Sequence, residues 1–317
     1  MKTIVTFALL FISASVFSQR AVDVKYEQDA QGNYIFSYNN KAYCNYILQL
    51  NFSVLQNAKS DHPLPFVTEV RPGAGKLLRL SKEKAADAIQ LKYGFTSFKG
   101  CLNPMIDTGF VYVLPIAPGK ETQAYEIRNT SAKTPDGRLL KNWYAIRLRM
   151  KPGDTLYAAR RGVVTDMNVS SGQNDAGVSG PDADNYIEIV HKDCSFAEYG
   201  ILKKDGSFVK PGQVVEAGQP IGLVGGDKFG RGSEARLSVT YNQLQDDSQS
   251  GGGSGNGGGG GTIYSVYLPL EFWTKYNGKG MLKHGATYIS EHPANLLTRE
   301  VSKPAILPKK KTPVKGH

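Results

Sequence analysis

The sequence predicts a mostly β protein of two units, and three observations carry that expectation. The first half is built of short aromatic and β-branched runs between Asn, Gly and Pro turns. In the second half, regularly placed glycines punctuate very short apolar runs. Only residues 81–91 hint at a helical period, too weak to choose between a short helix and a loop.

Taken in order, the chain opens with Lys2, continues through a mostly apolar stretch over residues 4–12, and reaches Val16-Phe17-Ser18-Gln19. This is the layout of an export signal, residues 1–18, cleaved after Ser18. The stretch is too short to cross a bilayer interior of roughly 30 Å, and no later stretch approaches the ~20 apolar residues a helical span requires. No cysteine follows the cleavage position, so a lipid anchor is not indicated. The expectation is an exported, soluble protein, periplasmic or secreted.

Residues 19–130 are expected to form a β-sandwich from Tyr34-Ile35-Phe36-Ser37-Tyr38, Tyr46-Ile47-Leu48-Gln49-Leu50-Asn51-Phe52, Leu77-Leu78-Arg79-Leu80 and Gly109-Phe110-Val111-Tyr112-Val113-Leu114. No catalytic grouping is visible there. With three cysteines in 317 residues, the cores must come from apolar packing rather than from a disulfide framework. Cys44 and Cys101 share a half and are the suggested pair, which leaves Cys194 odd.

Residues 131–300 form the second expected unit. Val209-Lys210-Pro211-Gly212-Gln213-Val214-Val215-Glu216-Ala217-Gly218-Gln219-Pro220-Ile221-Gly222-Leu223-Val224-Gly225 alternates Pro-Gly and Ala-Gly turns with tiny strands, as at the corners of a small barrel. Residues 154–164 supply another strand pair. The glycine run over residues 251–261 loses too much entropy on ordering to fold alone and reads as a loop; no Lys-Ser/Thr follows it to make a phosphate cradle. The tail over residues 301–317, with Lys309-Lys310-Lys311, reads as disordered and as a weak contact to anionic surfaces.

The formal net charge of +10, one unit less once Lys2 leaves, favours anionic polymers or lipid headgroups as partners. Nucleic acid is excluded by the expected compartment. A basic charge that merely aids solubility is the plain alternative.

The second unit resembles the lysostaphin-type zinc metallopeptidases, metallopeptidase family twenty-three. The likeness lies in Tyr157-Ala158-Ala159-Arg160-Arg161-Gly162-Val163-Val164, then Asn185-Tyr186-Ile187-Glu188-Ile189-Val190-His191, then Tyr199, then the stretch 209–225, in the family's order. It implies a glycine-rich β barrel or sandwich and peptide cross-bridges of bacterial cell wall as substrate. The family's zinc is held by a His and an Asp four residues apart and by a His-x-His strand, with another His two residues after the tyrosine. Here Trp143 and Arg147 fall at the first pair, Glu234 and Arg236 at the second, and Ile201 follows Tyr199. The resemblance is therefore to a degenerate member, with no catalytic or metal-ligating residue assigned and no cofactor expected. His191 matches the family beside a strand, where a histidine satisfying a turn is the plain reading.

Other groupings are weaker. Ser207-Phe208-Val209-Lys210 and Ser81-Lys82-Glu83-Lys84 spell Ser-x-x-Lys without companion motifs. His191 and Cys194 would need a third group to make a nucleophile. Asp175, Asp182 and Asp184 lack ordered calcium-loop spacing.

The leading expectation is a non-catalytic envelope protein that binds peptidoglycan or regulates a wall hydrolase. Arg147, Glu234 and Arg236 would face one groove and partly neutralise one another there. The alternatives are an active peptidoglycan metalloendopeptidase with a non-standard zinc site, and a structural or assembly component of the envelope.

Overall fold

A computed structural model describes residues 20–128, 142–170, 185–225, 234–245 and 262–301. The expected export signal, the Asp175–Asp182–Asp184 loop, the glycine run and the basic tail beyond residue 301 lie outside them.

Strands dominate the described residues. The first seven are β1 (Val22–Gln28), β2 (Tyr34–Asn40), β3 (Tyr46–Gln56), β4 (Ala58–Ser60), β5 (Phe66–Val70), β6 (Gly73–Lys82) and β7 (Gln90–Lys99). They form two sheets of order β1-β2-β6-β4 and β5-β3-β7. Phe36, Leu78 and Leu80 from one sheet and Leu48, Leu50, Phe66 and Val70 from the other are buried in one cluster. This is the expected sandwich, each large apolar side chain contributing ~1.5–3 kcal/mol on burial. Residues 83–87, between β6 and β7, are turns and bends, so the helical option for residues 81–91 is corrected. Both ends of that segment are drawn into long antiparallel strands, which override its weak local period.

The next strands are β8 (Val111–Val113), β9 (Glu121–Arg128), β10 (Tyr144–Arg149), β11 (Thr155–Tyr157), β12 (Gly162–Asn168), β13 (Tyr186–Val190), β14 (Phe196–Gly200) and β15 (Leu202–Ser207). They are followed by β16 (Val214–Val215), β17 (Pro220–Val224), β18 (Glu234–Gln245), β19 (Thr262–Tyr267), β20 (Glu271–Thr274), β21 (Gly278–Met281), β22 (Thr287–Ile289) and the short helix α1 (Ala294–Leu297). The large sheet runs β16-β12-β13-β14-β18-β10-β9-β22, with β19 alongside β18. Strands 154–164 do not pair with each other: β11 joins β17 and β15 in a small sheet, and β12 joins the large one.

None of the described sheets closes into a barrel, which corrects the barrel expectation. The large sheet ends at two short strands, β16 and β22, that do not meet, and the Pro-Gly and Ala-Gly corners lead the chain into β16 at that edge and from it to β17 in the small sheet. Gly212 (φ +85°) and Gly218 (φ +77°) make those corners in the left-handed region that glycine enters at little cost.

The second core lies under the large sheet, on Ile146, Leu148, Ile187, Ile189, Ala197, Tyr199, Leu237 and Val239. Phe110, Tyr112 and Leu114, expected in the sandwich, pack into this second core instead, because β8 pairs in parallel with β20; β9 likewise joins the large sheet. Among the described residues no helix is long and apolar enough to cross a membrane.

Among the described residues, polar contacts and a disulfide join the two halves. Lys99 Nζ lies 2.8 Å from Glu188 Oε1, and the Asn242 side-chain amide donates to the Lys99 carbonyl. Cys101 and Cys194 form a disulfide, and Cys44 is the free thiol. The suggested Cys44–Cys101 pair is thus corrected: the turn between β13 and β14 carries Cys194 up to the end of the sandwich, a proximity that sequence distance hides.

Candidate binding groove

The large sheet buries one face and leaves the other partly open. On β10, Tyr144, Ile146 and Leu148 point into the core, so Ala145, Arg147 and Arg149 point the opposite way. On β18, Ala235, Leu237 and Val239 are buried, and Glu234, Arg236 and Ser238 share the open face. The β10–β18 register sets Arg147 opposite Arg236 and Arg149 opposite Glu234. The fold therefore brings Arg147, Glu234 and Arg236 together, as the sequence implies.

Arg147 Nη1 donates diagonally to Glu234 Oε2 at 3.4 Å, with both side chains largely buried. Its Nε is buried without a hydrogen-bond partner. The Arg147 guanidinium lies 5.6 Å from the centre of the Tyr125 ring and Arg149 lies 5.8 Å from it, within cation–π range. Arg236 crosses the end of β14: a Cβ on Gly200 would sit 3.3 Å from Arg236 Nη2, so glycine there lets the guanidinium rest on the strand backbone.

Trp143, half-buried at the start of β10, meets Tyr267 at the end of β19, with ring centres 6.0 Å apart. Burial, then the nearby Glu198 charge, raises the Tyr267 hydroxyl above its usual range, with Trp143 and Arg236 acting against them. By strand alternation Trp143 lies on the same face as Arg147, four residues before it along the chain.

Ile201, Tyr199 and His191 do not line it. Ile201 is buried at the corner between β14 and β15 with φ +67°, a strained conformation for a β-branched residue. Tyr199 is fully buried, and its hydroxyl accepts the Ala159 amide hydrogen at 2.8 Å. It anchors the link between β11 and β12 from the core side, and burial pushes its hydroxyl far up. His191 is buried, with Nδ1 2.8 Å from the Arg161 carbonyl oxygen. A carbonyl only accepts, so Nδ1 carries the proton and Nε2, which has no partner, is bare. The histidine does satisfy a turn, although it is more deeply buried than the sequence suggests.

The residues at the family's ligand positions do not fit a zinc ion. Zinc takes thiolate, imidazole or carboxylate donors. Guanidinium and indole nitrogens offer no lone pair for it, Ile201 offers nothing, and the single carboxylate, Glu234, already accepts from Arg147. Among the described residues no three His, Cys, Asp or Glu side chains gather as a metal site. Cys194 is bonded to Cys101 and so is no partner for a His191 nucleophile. Ser207 Oγ donates to the Val209 carbonyl, a turn contact rather than a catalytic one.

One polar cluster escaped the sequence reading. Arg160, 2% exposed, donates through Nε and Nη2 to Glu300 at 3.0 and 2.7 Å and through Nη1 to Asp193 at 2.8 Å. Its guanidinium lies 3.9 Å from the centre of the Phe110 ring. The visible signal was a pair of arginines directly after Ala158-Ala159, small residues that are themselves buried.

The profile of Peptidase family M23 matches residues 141–248, the segment that holds β10 to β18. No curated protein matches the chain. Among solved structures, a zinc-containing peptidase from Vibrio cholerae is similar at 14% identity, over 68% of this chain and 81% of that one, with a TM-score of 0.31. Helicobacter pylori Csd3 is similar at 15% identity, over 69% and 72%, with a TM-score of 0.28. Both global scores are low, and the assignment rests on the profile together with the strands it covers. The chain carries a domain of Peptidase family M23 over residues 141–248.

Proposed function

We propose that the chain is a non-catalytic, metallopeptidase-like envelope protein whose groove binds carboxylate-bearing peptidoglycan peptide, by itself or while regulating a wall hydrolase. What carries the reading is the exchange of metal donors for guanidiniums: Arg147 and Arg236 stand opposite each other on adjacent strands. Glu234 holds Arg147 in place. A guanidinium fork matches a carboxylate in two parallel hydrogen bonds, a geometry that lysine does not reproduce. Tyr125, Trp143 and Tyr267 add flat apolar surface beside the charge. A spacer sandwich and a binding unit that takes in β8 and β9 as well as residues 131–300, and export to the periplasm or beyond, belong to the same proposal.

Binding of soluble wall-peptide fragments to the full chain tests it. In an Arg147→Ala, Arg236→Ala double variant, losing one charge-assisted pair worth about 1.5–3 kcal/mol should weaken binding at least ~10-fold. Unchanged affinity in a variant that keeps its circular dichroism spectrum removes the proposal.

A further inference from the structure

The three cysteines gather at one end of the sandwich. β3 and β7 pair antiparallel with Tyr46 opposite Lys99, and the Gly100 amide donates to the Asn45 carbonyl at 2.8 Å, one step beyond that pair. The regular ladder stops there, and the chain continues from Asn45 to Cys44 and from Gly100 to Cys101, so both cysteines follow directly on that pair. The Asn45 side-chain amide approaches Cys101 Sγ to 3.5 Å, so the segment that bears Cys44 already touches the disulfide. Cys101 is bonded to Cys194, 93 residues further on, and Cys44 is buried and free.

We propose that these residues form a thiol–disulfide exchange unit in which Cys44 displaces Cys194 from Cys101, trading a bond between the two units for one across the β3–β7 ladder. The Cys44 thiolate attacks Cys101 Sγ. As the Cys44–Cys101 bond forms, the Cys101–Cys194 bond breaks and its electron pair leaves on Cys194 Sγ, which takes up the proton that Cys44 gave up. One disulfide and one thiol stand on each side, so the step needs neither oxidant nor reductant.

In the closed arrangement the exchange is held off. Burial, above all, pushes the Cys44 thiol up to about 12, with Lys99 acting against it, and a thiol rather than a thiolate is a poor nucleophile. A motion that wets the end of the sandwich releases it. The product frees the turn between β13 and β14 from its tether and leaves the Lys99–Glu188 and Asn242–Lys99 contacts to hold the seam. Cys194, only partly buried, then becomes a reactive thiol. The unit thus converts an opening of the seam into a lasting covalent change.

The full chain, held without added thiol at about pH 8.5, where more thiol ionises, and in urea well below its unfolding transition, is quenched with acid, alkylated and mapped by peptide mass spectrometry. The expected result is a growing fraction with Cys44 bonded to Cys101 and the alkyl group on Cys194. Cys194→Ser supplies the second arm: mild oxidation should join Cys44 to Cys101. A chain that keeps Cys101–Cys194 with alkyl only on Cys44 at every time point overturns the proposal. Two free thiols in a folded, oxidised Cys194→Ser chain do the same.

Discussion

Replacing Arg160 by methionine is expected to lower the unfolding free energy by about 3–5 kcal/mol, the cost of leaving buried charge without its partner. Methionine refills most of the volume, so the loss is not a cavity. It comes from Asp193 and Glu300, whose side chains are 8% and 14% exposed and which share the one guanidinium. Burial would raise the Asp193 carboxyl, but the charge and hydrogen bond of Arg160 outweigh it and hold the group below its ordinary value. A carboxylate lowered in the folded state adds stability above its unfolded pKa, ~3.9, and loses it as pH falls through the folded value. Without Arg160 only the Ser195 hydrogen bonds still lower it against burial, so the deficit measured by urea midpoint at neutral pH should shrink below about pH 4. Removing all three charges in Arg160→Met, Asp193→Asn, Glu300→Gln should restore much of the loss. A triple variant no more stable than the single one would show that packing on Phe110, rather than charge, dominates.

His191 should govern a large part of acid sensitivity. Its ring is buried, its Nδ1 proton is committed to Arg161, and its bare Nε2 has no acceptor waiting for a second proton. Burial first, and the Arg160 charge second, press its pKa from 6.5 down to about 3. The unfolded chain therefore takes up this proton first on acidification. The stability it confers is complete above about pH 6.5 and is lost as pH falls toward about 3, on the order of 4 kcal/mol over the window. His191→Asn keeps a donor near the Arg161 carbonyl but cannot titrate. Its stability curve between pH 6.5 and 4 should be flatter than the parent's, whatever its value at pH 7. Parallel curves would show that His191 gains its proton in the folded protein without cost.

How much of this was legible from residues alone varies with the range of the interaction. β3 announces itself through Tyr46, Leu48 and Leu50 alternating with other side chains, and β13 through Ile187 and Ile189 alternating with Tyr186, Glu188 and Val190; both are local patterns. The nearness of Arg147, Glu234 and Arg236 was legible too, because strand alternation gives their shared face. The Arg160 cluster was hidden because its carboxylates come from positions 33 and 140 residues away. The disulfide was hidden for the same reason: spacing favoured Cys44 for Cys101, and only the packing of the β13–β14 turn against the sandwich selects Cys194. The barrel expectation failed because corner glycines report tight turns, while closure depends on whether the first and last strands of a sheet meet.

In the segment that matches Peptidase family M23, Arg147, Glu234 and Arg236 stand where the resemblance places metal donors. The most direct test of the proposed function is elemental analysis of the purified chain for zinc after dialysis, with peptidoglycan cleavage followed on the same sample. The expected result is zinc far below one ion per chain and no cleavage with or without added metal. One zinc per chain, with cleavage that a chelator abolishes, would contradict the account and place the ligands elsewhere in the chain.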